Sequence, residues 1–237
     1  MRLLVTRPDE DAEPLAALLA GLGHEAVIAP LLTIRILADA ALPDERWQAI
    51  LITSANGVRA LTARREAAAL ATVPVLAVGE ASASAARAAG FMQVEAAGGD
   101  VISLARLAMQ RLSPGGGPLL HVAGSVVAGD LKGDLEARGF FVTRVALYDA
   151  VAASELPEAA ASALKAKRID GALFYSPRTA RSFAALVRGA EAEAMLAGVT
   201  AYCLSEAVAD QLAGLPFVAI RVASAPDQQS LLALLPK

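Results

Sequence analysis

IDGALFYSPRTARSF, residues 169–183, is an apolar run followed by small hydroxyl and turn residues and then by an amphipathic pattern. WQAILITSANGVRAL, residues 47–61, has the same grammar and puts Ser54 where the later stretch has Ser176. Residues 49–53 and 171–175 have the length and continuous apolarity of buried parallel strands, and each reaches a helix start within two residues. A helix start presents unpaired backbone N–H groups with the positive end of the helix behind them, a setting that suits an anion. Two such junctions suggest a cleft between two similar lobes.

Working outward, the same alternation fills the chain. Residues 3–6 read as a strand ending at Arg7 and Pro8. Asp9 to Asp11 supply a cap and first-turn acids, and Leu15, Leu18, Leu19 and Leu22 follow at helical spacing. A strand at 25–29 completes a β-α-β opening. Residues 33–36 alternate with period two, as an exposed connecting strand does. Strand, helix (56 to about 69), strand (75–78) and helix (81–89) come next. A weak strand at 93–96 leads to a helix from Asp100 to Leu112, with Leu104, Leu107 and Ala108 as its buried face. SPGGGP, residues 113–118, is a turn and a candidate boundary.

From Leu119 the opening pattern returns: a strand, a turn at residues 123–125, a helix to Arg138 and a strand at 141–145. Residues 143–151 then alternate like 33–36 and are able to pair with them. A helix from Pro157 to about Lys167, the 171–175 strand and its helix, a strand at 199–203, a helix at 205–212 and a strand near 217–222 follow. The end, 227–235, reads as a capping helix. Strands alternating with helices in two doubled units predict an α/β protein of two similar lobes, each a mostly parallel sheet flanked by helices. Right-handed crossovers then place both serine junctions at the carboxyl edges of their sheets.

With 56% hydrophobic residues over 237 positions a substantial core is available, and aromatics are only 4%. No apolar run approaches the roughly 20 residues of a membrane span, and the opening MRLLVTRPDED turns charged too soon for a signal peptide. The expectation is a soluble cytoplasmic protein without a membrane partner. A net charge of −3, with scattered basic residues, gives nucleic acid no long-range attraction. Cys203, the single cysteine, lies in the apolar run VTAYCL and reads as a small core residue.

The candidate binding residues are the strand-to-helix turns. Thr53, Ser54, Asn56 and Gly57 form one; Ser176, Pro177, Arg178 and Thr179 form its counterpart. Gly79 and Ser82 in VGEAS correspond to Ser205 in LSEA, where the glycine is lost. Thr6-Arg7-Pro8 corresponds to Ala123-Gly124-Ser125, which makes Thr6, Arg7, Gly124 and Ser125 candidates. The plainer readings stand beside these: the serines cap helices, at about 1 kcal/mol each, and Arg7 is either a carboxylate partner or a solvated arginine. Tyr148, on the 143–151 strand, is the tyrosine able to face a cleft or is simply an amphipathic connector residue. His24 falls in a turn and His121 inside an apolar strand. No metal-ligand cluster, dinucleotide or Walker glycine loop, or Ser/His/Asp set has a credible context.

LLVTRP, LGHEAVIAPLLTI, AILITSANGV, VPVLAVGEASASAARAAGF, LLHVAGSVVAGDLKGDLEARGFFVTRVALYDAV, GALFYSPRTARSF and ASAPDQQSLLALL cover nearly the whole chain. In order and spacing the set resembles the uroporphyrinogen-III synthase family. The resemblance implies two lobes joined by a two-stranded ladder, with segment exchange: residues 1–33 and 151–237 form one lobe, 38–146 the other, and strands near 33–38 and 143–151 connect them. It also implies cyclisation of hydroxymethylbilane to uroporphyrinogen III, losing water and inverting ring D, for haem, sirohaem, cobalamin or chlorophyll biosynthesis. No cofactor or metal is expected, and the chain is expected to be a monomer in transient contact with the enzyme that makes hydroxymethylbilane.

On that resemblance, departure of the ring A hydroxyl gives an azafulvene, ring D attacks it through its substituted carbon, and the spiro intermediate reopens and closes with ring D turned over. The tyrosine associated with leaving-group assistance falls on Tyr148, and an ordinary phenol, with a pKa of about 10, is protonated as a donor must be. The substrate's eight carboxylates suit paired helix starts, at Ser176 with Thr179 and at Thr53 with Ser54. Residues 204–207 depart from the glycine and Thr-Ala pair common in relatives, and Glu206 repels a carboxylate unless it faces away. Two alternatives remain: a non-catalytic two-lobed binder of a small anion, and a regulatory lobe pair of a larger tetrapyrrole enzyme.

Overall fold

The computed structural model describes residues 1–127, 129–187 and 194–236. The strands are β1 (Arg2–Val5), β2 (Glu25–Ile28), β3 (Leu32–Ile36), β4 (Ala49–Ile52), β5 (Val75–Ala77), β6 (Val94–Ala96), β7 (Leu119–Gly124), β8 (Val142–Ala152), β9 (Gly171–Phe174), β10 (Thr200–Cys203) and β11 (Ala219–Val222). The main helices are α1 (Asp9–Gly21), α2 (Ala55–Thr62), α3 (Glu80–Ala88), α4 (Val101–Arg111), α5 (Leu131–Glu136), α6 (Glu158–Lys165) and α7 (Pro177–Leu186). The chain divides into two compact units, Met1–Thr33 with Val151–Lys237, and Ile34–Ala150.

The first unit is a five-stranded sheet in the order β11-β10-β9-β1-β2, with every pairing parallel. Its central strands are buried on both faces, so they are uninterrupted apolar runs rather than alternating ones. Leu3, Val5 and Leu173 pack under Ala12, Leu15 and Leu19 of α1 and under Leu231 and Leu235. Leu4, Ala172 and Phe174 face the other way, toward α6 and toward Ala180 and Phe183 of α7. Leu18 and Leu22, expected on the buried stripe, are 45% and 54% exposed: the sheet meets only the row through Leu15 and Leu19. Pro8, not an aspartate, is the N-cap of α1, and Asp9, Glu10 and Asp11 occupy its first turn.

In the second unit the order is β3-β8-β7-β4-β5-β6. Strands β8, β7, β4, β5 and β6 pair in parallel. β3 runs against β8: the Leu37 N–H donates to the Leu147 carbonyl at 2.8 Å, and the Ala153 N–H to the Leu31 carbonyl at 3.1 Å. The two segments read as 141–145 and 143–151 are thus one strand, whose first part lies beside β7 and whose second part carries β3. One face of the sheet takes α2 and α3 through Val58, Leu61, Ala83 and Ala86, and the other takes α4 and α5 through Leu104, Leu107, Leu131 and Leu135. α2 stops at Thr62 instead of running on to 69, and a 3-10 turn over Arg65–Leu70 completes the crossover.

Both sheets reverse their winding at one point. In the first unit β1 leads through α1 to β2 on one side and β9 through α7 to β10 on the other, with β1 beside β9. In the second, β4 leads through α2 to β5 while β7 leads through α5 to β8, with β4 beside β7. The connections above the carboxyl ends of these neighbouring strands separate, which leaves a crevice in each unit.

Candidate functional site

At the crevice of the second unit Thr53 and Ser54 follow the end of β4. Ser54 is the N-cap of α2, in extended backbone, and its hydroxyl oxygen accepts the Asn56 N–H at 3.2 Å. The Asn56 side chain in turn accepts from Arg59. Gly57, in the first turn, lies against Val122 and Tyr148: a Cβ there would sit 3.4 Å from Val122 Cγ1 and 3.9 Å from Tyr148 Cε1. Tyr148 is 8% exposed and packs on the α2 side of the sheet.

Across the switch point, β7 ends at Gly124, which pairs with Tyr148 beyond a bulge at Ala123 and Gly124. The Ser125 N–H donates to the Tyr148 carbonyl at 2.9 Å. The Arg144 guanidinium donates to the carbonyls of Gly124 and Ser125 at 2.7 and 2.8 Å. The Ser125 hydroxyl donates to Asp149, whose other oxygen takes the Arg35 guanidinium at 3.1 Å. The structure therefore brings Ser54, Asn56, Gly57, Gly124, Ser125 and Tyr148 around one sheet edge.

Gly79 and Ser82 belong to the next crossover. Gly79 is the N-cap of α3 in extended backbone, and a Cβ on it would stand 3.3 Å from Gly99 Cα, so close approach of its own chain accounts for the glycine. Ser82 is only 5% exposed, in the first turn of α3.

In the first unit the Thr6 side chain is fully buried and its hydroxyl donates to the Leu173 carbonyl at 2.7 Å, tying β1 to β9. Arg7 leaves the end of β1, pairs with Asp11 at 3.0 Å, donates to Gln228 at 3.2 Å, and lies 4.4 Å above the Tyr175 ring. A carboxylate partner for Arg7 is thus present within the chain, one helical turn away. The Tyr175 hydroxyl is buried, and burial pushes its pKa up to about 12 against the opposing pull of Arg7.

Ser176 is the N-cap of α7: its oxygen accepts the Thr179 N–H at 3.1 Å and lies 2.8 Å from the Thr179 hydroxyl, with Pro177 opening the helix. Thr179 is 5% exposed and Arg178 half-buried. Ser205 caps the short helix Glu206–Ala209 by position, without a side-chain bond, and Glu206 is exposed in its first turn. Burial, with the Glu206 charge adding to it, raises the Cys203 thiol to about 12, the behaviour of an inert core residue.

Sequence reasoning missed Arg35, Arg144 and Asp149 around Gly124 and Ser125, and Asp11, Tyr175 and Gln228 around Arg7. The i,i+4 spacing of Arg7 and Asp11 was a usable signal, as was the alternation that sets Arg144, Tyr148 and Asp149 along one strand. Nothing in the sequence marked Gln228 or Gly99. His121, in β7 between Leu51 and Arg144, has both ring nitrogens buried without a hydrogen-bond partner among the described residues. Burial, with the Arg144 charge adding to it, lowers its pKa to about 4. Among the described residues no group of three or more His, Cys, Asp or Glu could hold a metal ion, and no helix is long and apolar enough to cross a membrane.

Two solved structures share this fold. The uroporphyrinogen III synthase of Thermus thermophilus, in a selenomethionine mutant form, superposes with a TM-score of 0.59 at 20% identity, covering 98% of this chain and 96% of that one. The uroporphyrinogen-III synthetase of Helicobacter pylori gives 0.60 at 17% identity, covering 99% and 98%. A search of curated protein sequences gave no match. The family model described as uroporphyrinogen-III synthase HemD matches residues 13–233. A match over that span shows that the chain belongs to the uroporphyrinogen-III synthase family.

Proposed function

We propose that the chain closes hydroxymethylbilane to uroporphyrinogen III as a cofactor-independent hydro-lyase, releasing one water and turning ring D over. The family match across residues 13–233 carries the reading. The pyrroles supply the electrons for carbon–carbon bond formation. The protein has to fold the linear tetrapyrrole, restrain ring D and assist departure of the ring A hydroxyl. Orientation is the main term, since holding two reacting ends together can supply several kcal/mol, and hydrogen-bond acid assistance is the second.

In this scheme the phenol of Tyr148 donates to the departing hydroxyl, and the hydroxyl leaves as water. The first turns of α2 and α7, capped by Ser54 and Ser176, receive substrate carboxylates on backbone N–H groups. Ser125, exposed at the end of β7, and Arg178 add polar contacts. Thr6 and Thr179 support the junctions through internal hydrogen bonds. Arg7 holds its part of the crevice positive only in part, because Asp11 already offsets its charge. A monomer acting in the cytoplasm, in transient contact with the enzyme that supplies hydroxymethylbilane, suits an unstable substrate that closes by itself to the type I isomer.

The test is isomer analysis. Incubation with freshly made hydroxymethylbilane is expected to give the type III isomer, and formation of the type I isomer alone overturns the assignment.

A further inference from the structure

We propose that Gly124 is a positioning residue for Tyr148, acting through the side chain it lacks. The proposal rests on the cyclisation reading for its catalytic half only. Gly124 lies directly across from Tyr148 at the bulge that ends the β7–β8 pairing. A Cβ at Gly124 would stand 3.0 Å from both Cε2 and Cζ of the Tyr148 ring and 3.3 Å from its hydroxyl oxygen. The two carbon distances are shorter than a carbon–carbon contact of about 3.5 to 4 Å, so with a methyl group there the ring or the backbone has to give by a few tenths of an ångström.

The backbone is the part least able to yield. Two carbonyls in succession, those of Gly124 and Ser125, are held by Arg144. The Ser125 N–H is held by the Tyr148 carbonyl, and the Ser125 hydroxyl by Asp149, itself fixed by Arg35. On the far side of the phenol the Cε1 edge faces Gly57, whose missing side chain leaves the ring its easiest direction to yield: even an added Cβ there would be at an ordinary contact distance of 3.9 Å. Glycine in a strand interior commonly marks a bulge or a close approach, and here what approaches is the ring whose hydroxyl the cyclisation scheme uses as its donor. The glycine sets where the phenol stands, and a methyl group would displace ring and hydroxyl together toward α2.

A double-variant cycle with a spectroscopic readout tests this. Gly124→Ala is expected to lower kcat roughly five- to tenfold, with KM changed less than about twofold, because a displacement of a few tenths of an ångström already lowers the rate of a positioned reaction, though by less than the roughly hundredfold loss that a full ångström costs. In a Tyr148→Phe background the same substitution is expected to change kcat by less than about threefold, since coupled residues do not add. With tyrosine labelled in the ring with carbon-13, the Tyr148 resonance shifts in Gly124→Ala while those of Tyr175 and Tyr202 stay in place. Equal losses in both backgrounds, or an unmoved Tyr148 resonance, overturn the proposal. If Gly124→Ala does not fold, Gly124→Ala with Tyr148→Leu is expected to restore folding by removing the ring, and failure of that rescue overturns it too. A wild-type protein that makes only the type I isomer removes the cyclisation reading, while the resonance shift still decides whether Gly124 places the ring.

Discussion

A tyrosine serving as hydrogen-bond donor to a leaving hydroxyl matters most where charge builds up, at the transition state. Tyr148→Phe keeps the ring against Gly57 and Gly124 and removes only the hydroxyl, so packing of the α2 face should survive. Turnover is expected to fall by about one to two orders of magnitude with KM little changed. Steady-state kinetics on hydroxymethylbilane check this, and an unchanged kcat takes Tyr148 out of the chemistry. From sequence, the alternation around ALYDAV left Tyr148 as either a cleft-facing tyrosine or a connector residue, and its role as donor came from the family resemblance. Its setting was not legible, because whether a glycine stands against a ligand or against a neighbouring ring depends on contacts across strands. Gly124 reads from sequence as a place for substrate; in the fold the Tyr148 ring stands against it. In the same way Arg7 reads as a carboxylate partner or a solvated arginine, and the fold surrounds it with Asp11, Gln228 and the Tyr175 ring.

Elements were most legible where one physical cause dominates. Buried parallel strands must be apolar on both faces, which made AILI and GALF visible, and a serine able to cap, ahead of an amphipathic pattern, marked the starts of α2 and α7. The end of α2 had no such mark. No glycine or proline stands at 62–64; the helix stops because Arg64 turns to extended backbone, where its guanidinium reaches the Ala38 carbonyl at 3.3 Å and pairs with Glu66. Capping makes a prediction about α7. Ser176→Ala leaves the Thr179 N–H without its side-chain acceptor and is expected to cost about 1 kcal/mol of stability, while Ser176→Gly costs a few tenths. Chemical denaturation read by circular dichroism measures both. If Ser176 also meets a substrate carboxylate, Ser176→Gly raises KM despite its small effect on stability; an unchanged KM leaves the serine as a cap alone.

For the whole molecule, stability against pH turns on buried groups that differ between folded and unfolded chains, and His121 is the clearest of them. Buried in β7 with neither ring nitrogen partnered among the described residues and with Arg144 beside it, it is held neutral, its pKa lowered from 6.5 to about 4. Between those values the unfolded chain binds a proton that the folded chain does not. Stability therefore rises with pH across the window, by up to about 1.4 kcal/mol per pH unit, and is lost as pH falls from about 6.5 toward 4. Exposed capping carboxylates act in the same direction but lower down: hydrogen bonds from Ser103 and Ser230 hold Asp100 and Asp227 below the ordinary value of 3.8, so their contribution is lost only under stronger acid. The two causes separate in His121→Leu, which removes the titrating ring and an unsatisfied buried group together. Urea midpoints measured from pH 7 to pH 4 are expected to decline by an equivalent of about 2 to 3 kcal/mol in the wild type. They should stay nearly level in His121→Leu, with the variant the more stable at pH 5. A wild-type profile that is flat above pH 4, or a variant that declines in parallel, would show that the ring is solvated or partnered in solution.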